Sequence, residues 1–147
     1  MITLVTSFRV ATVAIFIGCV GCVLLGSHAA MSKTLPGRCV EKSYVVKIHA
    51  DWCGSCKATE SVWERVQNEL GDRATVVKLD VSDRVEYEKS ADEARRLGIE
   101  NFFQEYRSKT GVVAVLDCQT REPVAVLIGE RDFEKYLQAV KKADRAS

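Results

Sequence analysis

The sequence has 147 residues, 47% apolar and 28% charged, with 21 Lys and Arg against 20 Asp and Glu. That size is about one domain, and the balance excludes both a disordered tail and a polytopic membrane protein. Arg9 is the only charge in the first thirty residues, so residues 31–147 sum to zero and offer nucleic acid no electrostatic attraction.

Residues 10–26 carry no charge and are mostly Val, Ile, Ala, Leu, Gly and Cys, with Arg9 before them and Ser27-His28-Ala29-Ala30 after. A basic residue, an apolar core and small residues in that order form an export address. Three readings stay open: a signal cut after Ala29, an anchor retained over residues 10–26, or a lipidated Cys19 or Cys22. The lipidation pattern is only partial, because Phe16 or Cys19 stands three before the cysteine. All three place the rest of the chain outside the cytoplasm, with membrane contact only through residues 1–30. Residues 31–42, with Pro36 and Gly37, read as a linker into a domain over 43–143.

Along that domain, Tyr44–Ala50 is an apolar, β-branched run that suits a buried strand. Ala58, Val62, Val66 and Leu70 then recur at four-residue spacing, and Gly71 ends the helix they predict. Ala74–Val81 is a second strand. Tyr87–Leu97 is a charged helical stretch closed by Gly98, and Asn101–Ser108 either prolongs it or forms another turn. Val112–Leu116 and Pro123–Ile128 are strands joined by a hairpin-type connection. Asp132–Lys142 closes the chain as a helix with Phe133, Tyr136, Leu137 and Val140 on one face. The order β-α-β-α-β-β-α predicts an α/β fold: a central mixed sheet flanked by helices, behind a hydrophobic leader.

Six cysteines are too few for a disulfide-stapled miniprotein of this length. Cys53 and Cys56 form a Cys-x-x-Cys where the first strand runs into a helix. Amides at a helix start stabilise an anion beside them, so a thiol there is drawn toward thiolate near neutrality. Cys53 is the candidate exposed nucleophile, and Cys56, one turn further and more buried, the candidate resolving thiol. Exchange between thiolate and disulfide requires no cofactor.

Ala50-Asp51-Trp52-Cys53-Gly54-Ser55-Cys56-Lys57, with a strand before and a helix after, resembles the active-site signature of the thioredoxin superfamily. The resemblance covers roughly residues 40–143 and includes Lys78–Val81 and the closing strand and helix. It implies a thioredoxin-like fold and a thiol–disulfide oxidoreductase, more readily a reductant than an oxidant. It further implies protein disulfide substrates, and a membrane electron donor or thioredoxin-type reductant as partner. Trp52, Gly54, Ser55 and Lys57 match the flanking positions that shape such a site. The dedicated oxidases of the family carry a large helical insertion for which this chain has no room.

The sequence departs from the family in two places. Lys47 stands where thioredoxins carry a buried aspartate; a cation there favours thiolate but cannot act as a carboxylate base. Around Ser108-Lys109-Thr110-Gly111 the family's cis-proline is missing, leaving Thr110 and Gly111 to face the disulfide, and Asn101–Ser108 looks inserted. That loss opens two rival readings: a zinc or iron–sulfur module held by Cys53 and Cys56, and a partner-binding fold without turnover. His49 and Trp63 are expected to pack. If the strands pair as in the family, Cys39 and Cys118 lie at one sheet end away from Cys53, as a structural disulfide or as two separate thiols.

Overall fold

A computed structural model describes residues 41–146. The leader expected at 1–30, most of the expected linker, and Cys19, Cys22 and Cys39 lie outside the described residues. Nine elements follow in chain order: β1 (Tyr44–His49), α1 (Gly54–Ala58), α2 (Glu60–Leu70), β2 (Thr75–Asp80), α3 (Arg84–Arg96), α4 (Glu100–Tyr106), β3 (Val112–Leu116), β4 (Pro123–Ile128) and α5 (Phe133–Ala146). Among the described residues, no helix is long and apolar enough to cross a membrane.

The four strands form one mixed sheet in the order β2-β1-β3-β4. β1 runs parallel to β2, with His49 opposite Asp80, and antiparallel to β3, with Tyr44 opposite Leu116. Because β1 is central, all six of its residues are buried, which explains its nearly unbroken apolar run. Alternate residues supply the two faces. Val45, Val113 and Val115 pack with Val62, Trp63 and Val66 of α2 and Tyr136 and Val140 of α5. Tyr44, Val46, Ile48, Ala114 and Leu116 pack beneath α3 and α4, where Phe102 and Phe103 are buried. Each such aliphatic side chain contributes about 1.5–3 kcal/mol by leaving water. β4 is an edge strand and leaves Val126 and Ile128 exposed.

Three local outcomes differ from the sequence pattern. The helix expected to run unbroken to Leu70 is divided at Thr59, whose φ of −109° and ψ of 8° are not helical. Its hydroxyl bonds back to Ser55 O at 2.9 Å and Cys56 O at 3.2 Å, competing with the helical ladder. The charged helix begins three residues before Tyr87, at Arg84, because the Asp83 carboxylate caps the Glu86 amide at 2.9 Å. Asn101–Ser108 contributes to a separate helix, α4, because Gly98 turns the chain at φ +69°.

Candidate active site

β1 delivers the motif to its own C-terminal end, at one end of the sheet. Ala50 O accepts the Cys53 amide at 3.0 Å, turning the chain out of the strand. Cys53 then caps α1, its Sγ accepting from the Cys56 amide at 3.1 Å. Ser55 Oγ lies 3.2 Å from the same sulfur. Cys53 and Cys56 are joined as a disulfide with Cα atoms 5.2 Å apart. Cys56 is fully buried and its sulfur lies 3.9 Å from Ile48 O. Cys53, expected to be exposed, is only 5% accessible. The reason is the segment facing it.

Gly111 occupies the place where the resemblance expects a proline. Its φ is +83°, and a Cβ there would stand 2.2 Å from Ser55 Oγ and 3.6 Å from Cys53 Sγ. The backbone is pinned on both sides, Gly111 N donating to Ile48 O at 2.9 Å and Gly129 N to Gly111 O at 3.3 Å. A bare α-carbon is therefore needed for conformation and for space, and Thr110 beside it is half-buried. Gly111→Ala should cost about 1–3 kcal/mol in urea unfolding and displace Ser55 from the sulfur. An unchanged midpoint together with unchanged thiol reactivity would show that this close approach is dispensable.

Trp52 is 65% exposed, yet its indole is fixed by donating to Ser82 O at 3.1 Å. Ser82 Oγ also accepts the Asp51 amide at 2.8 Å, so the Trp52 turn is tied to the end of β2. His49 is buried as expected, but polar contacts accompany its packing: Nε2 lies 3.3 Å from Asp51 Oδ1 and 3.9 Å from Asp80 Oδ2. Burial acts to raise the Asp80 pKa, but hydrogen bonds from Ser82 and the charges of His49 and Lys78 outweigh it and lower the value. These three side chains bring one nitrogen and two carboxylate oxygens within 4.8 Å of one another. A ligating histidine ordinarily donates through its other ring nitrogen. His49 Nδ1 is buried without a partner, so the arrangement fits a brace for the Trp52 turn better than a metal centre.

Lys47 is fully buried on β1. Its ammonium donates to Glu60 Oε2 at 2.9 Å and lies 5.2 Å over the Trp63 ring. The hydrogen bond from Lys47 holds the Glu60 carboxyl below its ordinary pKa, against a smaller opposing effect of burial. Sequence reasoning made Lys47 a cation that favours thiolate; in the fold it is spent on Glu60, which neutralises much of its field. Glu60 was not among the sequence candidates. The signal was its place at the head of α2, thirteen residues after a lysine on an otherwise mostly apolar strand. Lys57 is exposed, as are Gly54 and Ser55.

Cys118 is buried at the end of β3 and is disulfide-bonded. Cys53 and Cys56 bond each other, and the expected partner Cys39 lies outside the described residues.

A mixed sheet with this strand order, and a Cys-x-x-Cys at the junction of β1 and α1, defines the body of this chain as a domain of the thioredoxin superfamily. In agreement, residues 37–102 match the family model described as Thioredoxin. Among curated proteins, the chain is 44% identical over 48 residues to a thioredoxin domain-containing protein 3 homolog of Ciona intestinalis and 43% identical over 37 residues to thioredoxin of Bacillus subtilis. Those stretches are 31% and 25% of this chain, and they span only 7% and 36% of the two relatives. Among solved structures, an exposed lipoprotein thioredoxin of Streptococcus pneumoniae is similar at 18% identity and a TM-score of 0.49, over 69% of this chain and 84% of that one.

Proposed function

We propose that this chain is a thiol–disulfide oxidoreductase that reduces disulfides in protein substrates outside the cytoplasm. The observation that carries the reading is the pairing of a rim cysteine, its sulfur held by the Cys56 amide, with a fully buried partner one turn away. With the site reduced, the Cys53 thiolate attacks one substrate sulfur. The substrate disulfide breaks, its other sulfur leaves as a thiolate and takes up a proton, and a mixed disulfide forms. Cys56 loses its proton and attacks Cys53 Sγ, which releases the second substrate thiol and forms the Cys53–Cys56 disulfide. Two electrons have passed to the substrate, and an external dithiol must return them.

The reductant direction rests on how few groups stand ready to hold a Cys53 thiolate. Strong oxidants of this chemistry owe their potential to a stabilised reduced form. Here one amide and one hydroxyl address Cys53 Sγ, while the Lys47 charge is held by Glu60. The extracytoplasmic setting rests on the apolar leader, and a membrane dithiol carrier or a thioredoxin-type reductant suits the recharging step.

A second reading, metal or cluster binding by the same cysteines, draws on Gly111, which lays a bare backbone where a proline ring would shield the sulfurs. The full chain, purified in mild detergent without chelator, is to be equilibrated in glutathione buffers while bound metal is assayed on the same sample. A reversible two-electron couple without metal is expected, at a potential low enough to reduce protein disulfides. Stoichiometric metal that protects both thiols from alkylation would move the assignment to the second reading.

A further inference from the structure

A groove of about 500 Å³ lies beside the disulfide, lined by Trp52, Val81, Tyr87, Gln104, Arg107 and Ser108. It adjoins the disulfide turn, because Trp52 precedes Cys53 in the chain and Val81 packs against Ala50, Cys53 and Cys56. Its far wall is α4 and the turn that follows, built from the stretch that looked inserted in the sequence. Arg107 is the only charged residue in this lining.

Its guanidinium is held in place. Nη1 donates to the Tyr87 hydroxyl at 2.9 Å, and the guanidinium carbon lies 5.6 Å from the centre of that ring. Arg65, Arg84, Arg95 and Arg96 each hold a carboxylate one helical turn away. Arg107 has none among the described residues, and its place in the chain explains why. The residues three and four before it are Gln104 and Phe103, and those three and four after it are Thr110 and Gly111. Glu105, two positions away, lies on another side of the helix and pairs with Lys109 at 3.8 Å. A fixed fork of donors with unspent capacity suits a carboxylate. The groove therefore has a direction, with an apolar indole next to the disulfide and a positive charge further out.

We propose that this groove is a substrate subsite for an acidic side chain, so that disulfides with glutamate or aspartate nearby are reduced in preference to neutral ones. The inference rests on the oxidoreductase reading and adds a substrate class to it. The probes are two short peptides, each with a central cysteine joined as a disulfide to 2-mercaptoethanol and with either Glu or Gln beside it. The pre-reduced full chain is mixed with each, and the single-turnover rate constants are compared as a ratio. The Glu peptide should react roughly fivefold faster, the size expected of one solvent-accessible ion pair. That ratio should fall to about one in Arg107→Gln, persist in part in Arg107→Lys, and shrink as salt is added. A ratio of one in the unaltered chain, or a preference that survives Arg107→Gln, would overturn the subsite.

Serine versions of the peptides, followed by fluorescence anisotropy, separate the two levels. Suppose the chain reduces neither disulfide, yet binds the Glu–serine peptide more tightly and loses that preference in Arg107→Gln. The subsite then stands and the oxidoreductase reading falls. Equal reduction of both peptides leaves the oxidoreductase and removes the subsite.

Discussion

Replacing Cys53 by serine is expected to cut disulfide exchange by roughly a thousandfold or more, to the uncatalysed background. Cys56→Ser should give a different failure. Its backbone amide still addresses Cys53 Sγ, so the first attack proceeds, but nothing resolves the product and a mixed disulfide accumulates to one equivalent per chain. Neither change should prevent folding. The bond closes a loop of sequence separation 3, for which chain-entropy arguments give only about 2 kcal/mol. The check is alkylation and intact-mass measurement after mixing with a protein disulfide. If Cys56→Ser releases product freely, or Cys53→Ser alone traps substrate, the roles are reversed or wrong.

The second large effect is at Lys47, and it runs against the intuition that the buried charge is the fragile partner. Glu60→Ala leaves an ammonium with no exposure and only the Trp63 ring beside it. Removing one partner of a buried pair commonly costs about 3–5 kcal/mol; Glu60 is 43% exposed, so a smaller cost is expected, about 2–3 kcal/mol. Lys47→Met keeps an unbranched chain and removes the charge, so it should be nearly neutral or stabilising. Urea unfolding of both variants gives the comparison, and Lys47→Met proving the more damaging would refute it.

The same pair has a dependence on pH. The folded-state pKa of Glu60 is depressed, chiefly by the bond from Lys47. Its contribution is therefore complete above the unfolded-state value and is lost as pH falls through the folded one. Stability of the unaltered chain should decline in acid, and Glu60→Ala should lose that part of the slope.

Much of the fold could be read directly because the relevant forces are local. β1 and β3 are buried along their whole length, and that leaves an unbroken apolar run in β3 and a nearly unbroken one in β1. Cys53 and Cys56 could be read for a similar reason, since the strand–helix junction that activates them is contiguous in the chain. The misplaced features are those decided by groups distant in sequence. The shelter over Cys53 comes from Gly111, fifty-eight residues later, pinned by Ile48 and Gly129. The neutralisation of Lys47 depends on a helix folding back over β1 to deliver Glu60. Asp83 is a local signal, because a carboxylate three residues ahead of Glu86 is a standard helix start, but it lies outside the apolar spacing that marks the rest of the helix. The break at Thr59 was hidden by a four-residue apolar pattern that continues straight through it.

The central position of β1 also sets an order of events during synthesis. This strand leaves the ribosome before both of its neighbours, and its contact with β3 closes only after more than three-quarters of these 147 residues have been made. Until then the cysteine pair can have β2 beside its strand but lacks the Gly111 backbone that will cover it. Such distant pairings make folding slow compared with helical proteins of similar size. A nascent chain is thus open to stray oxidation for longer than the finished protein, and the redox state of the compartment where it folds decides which disulfide it first acquires.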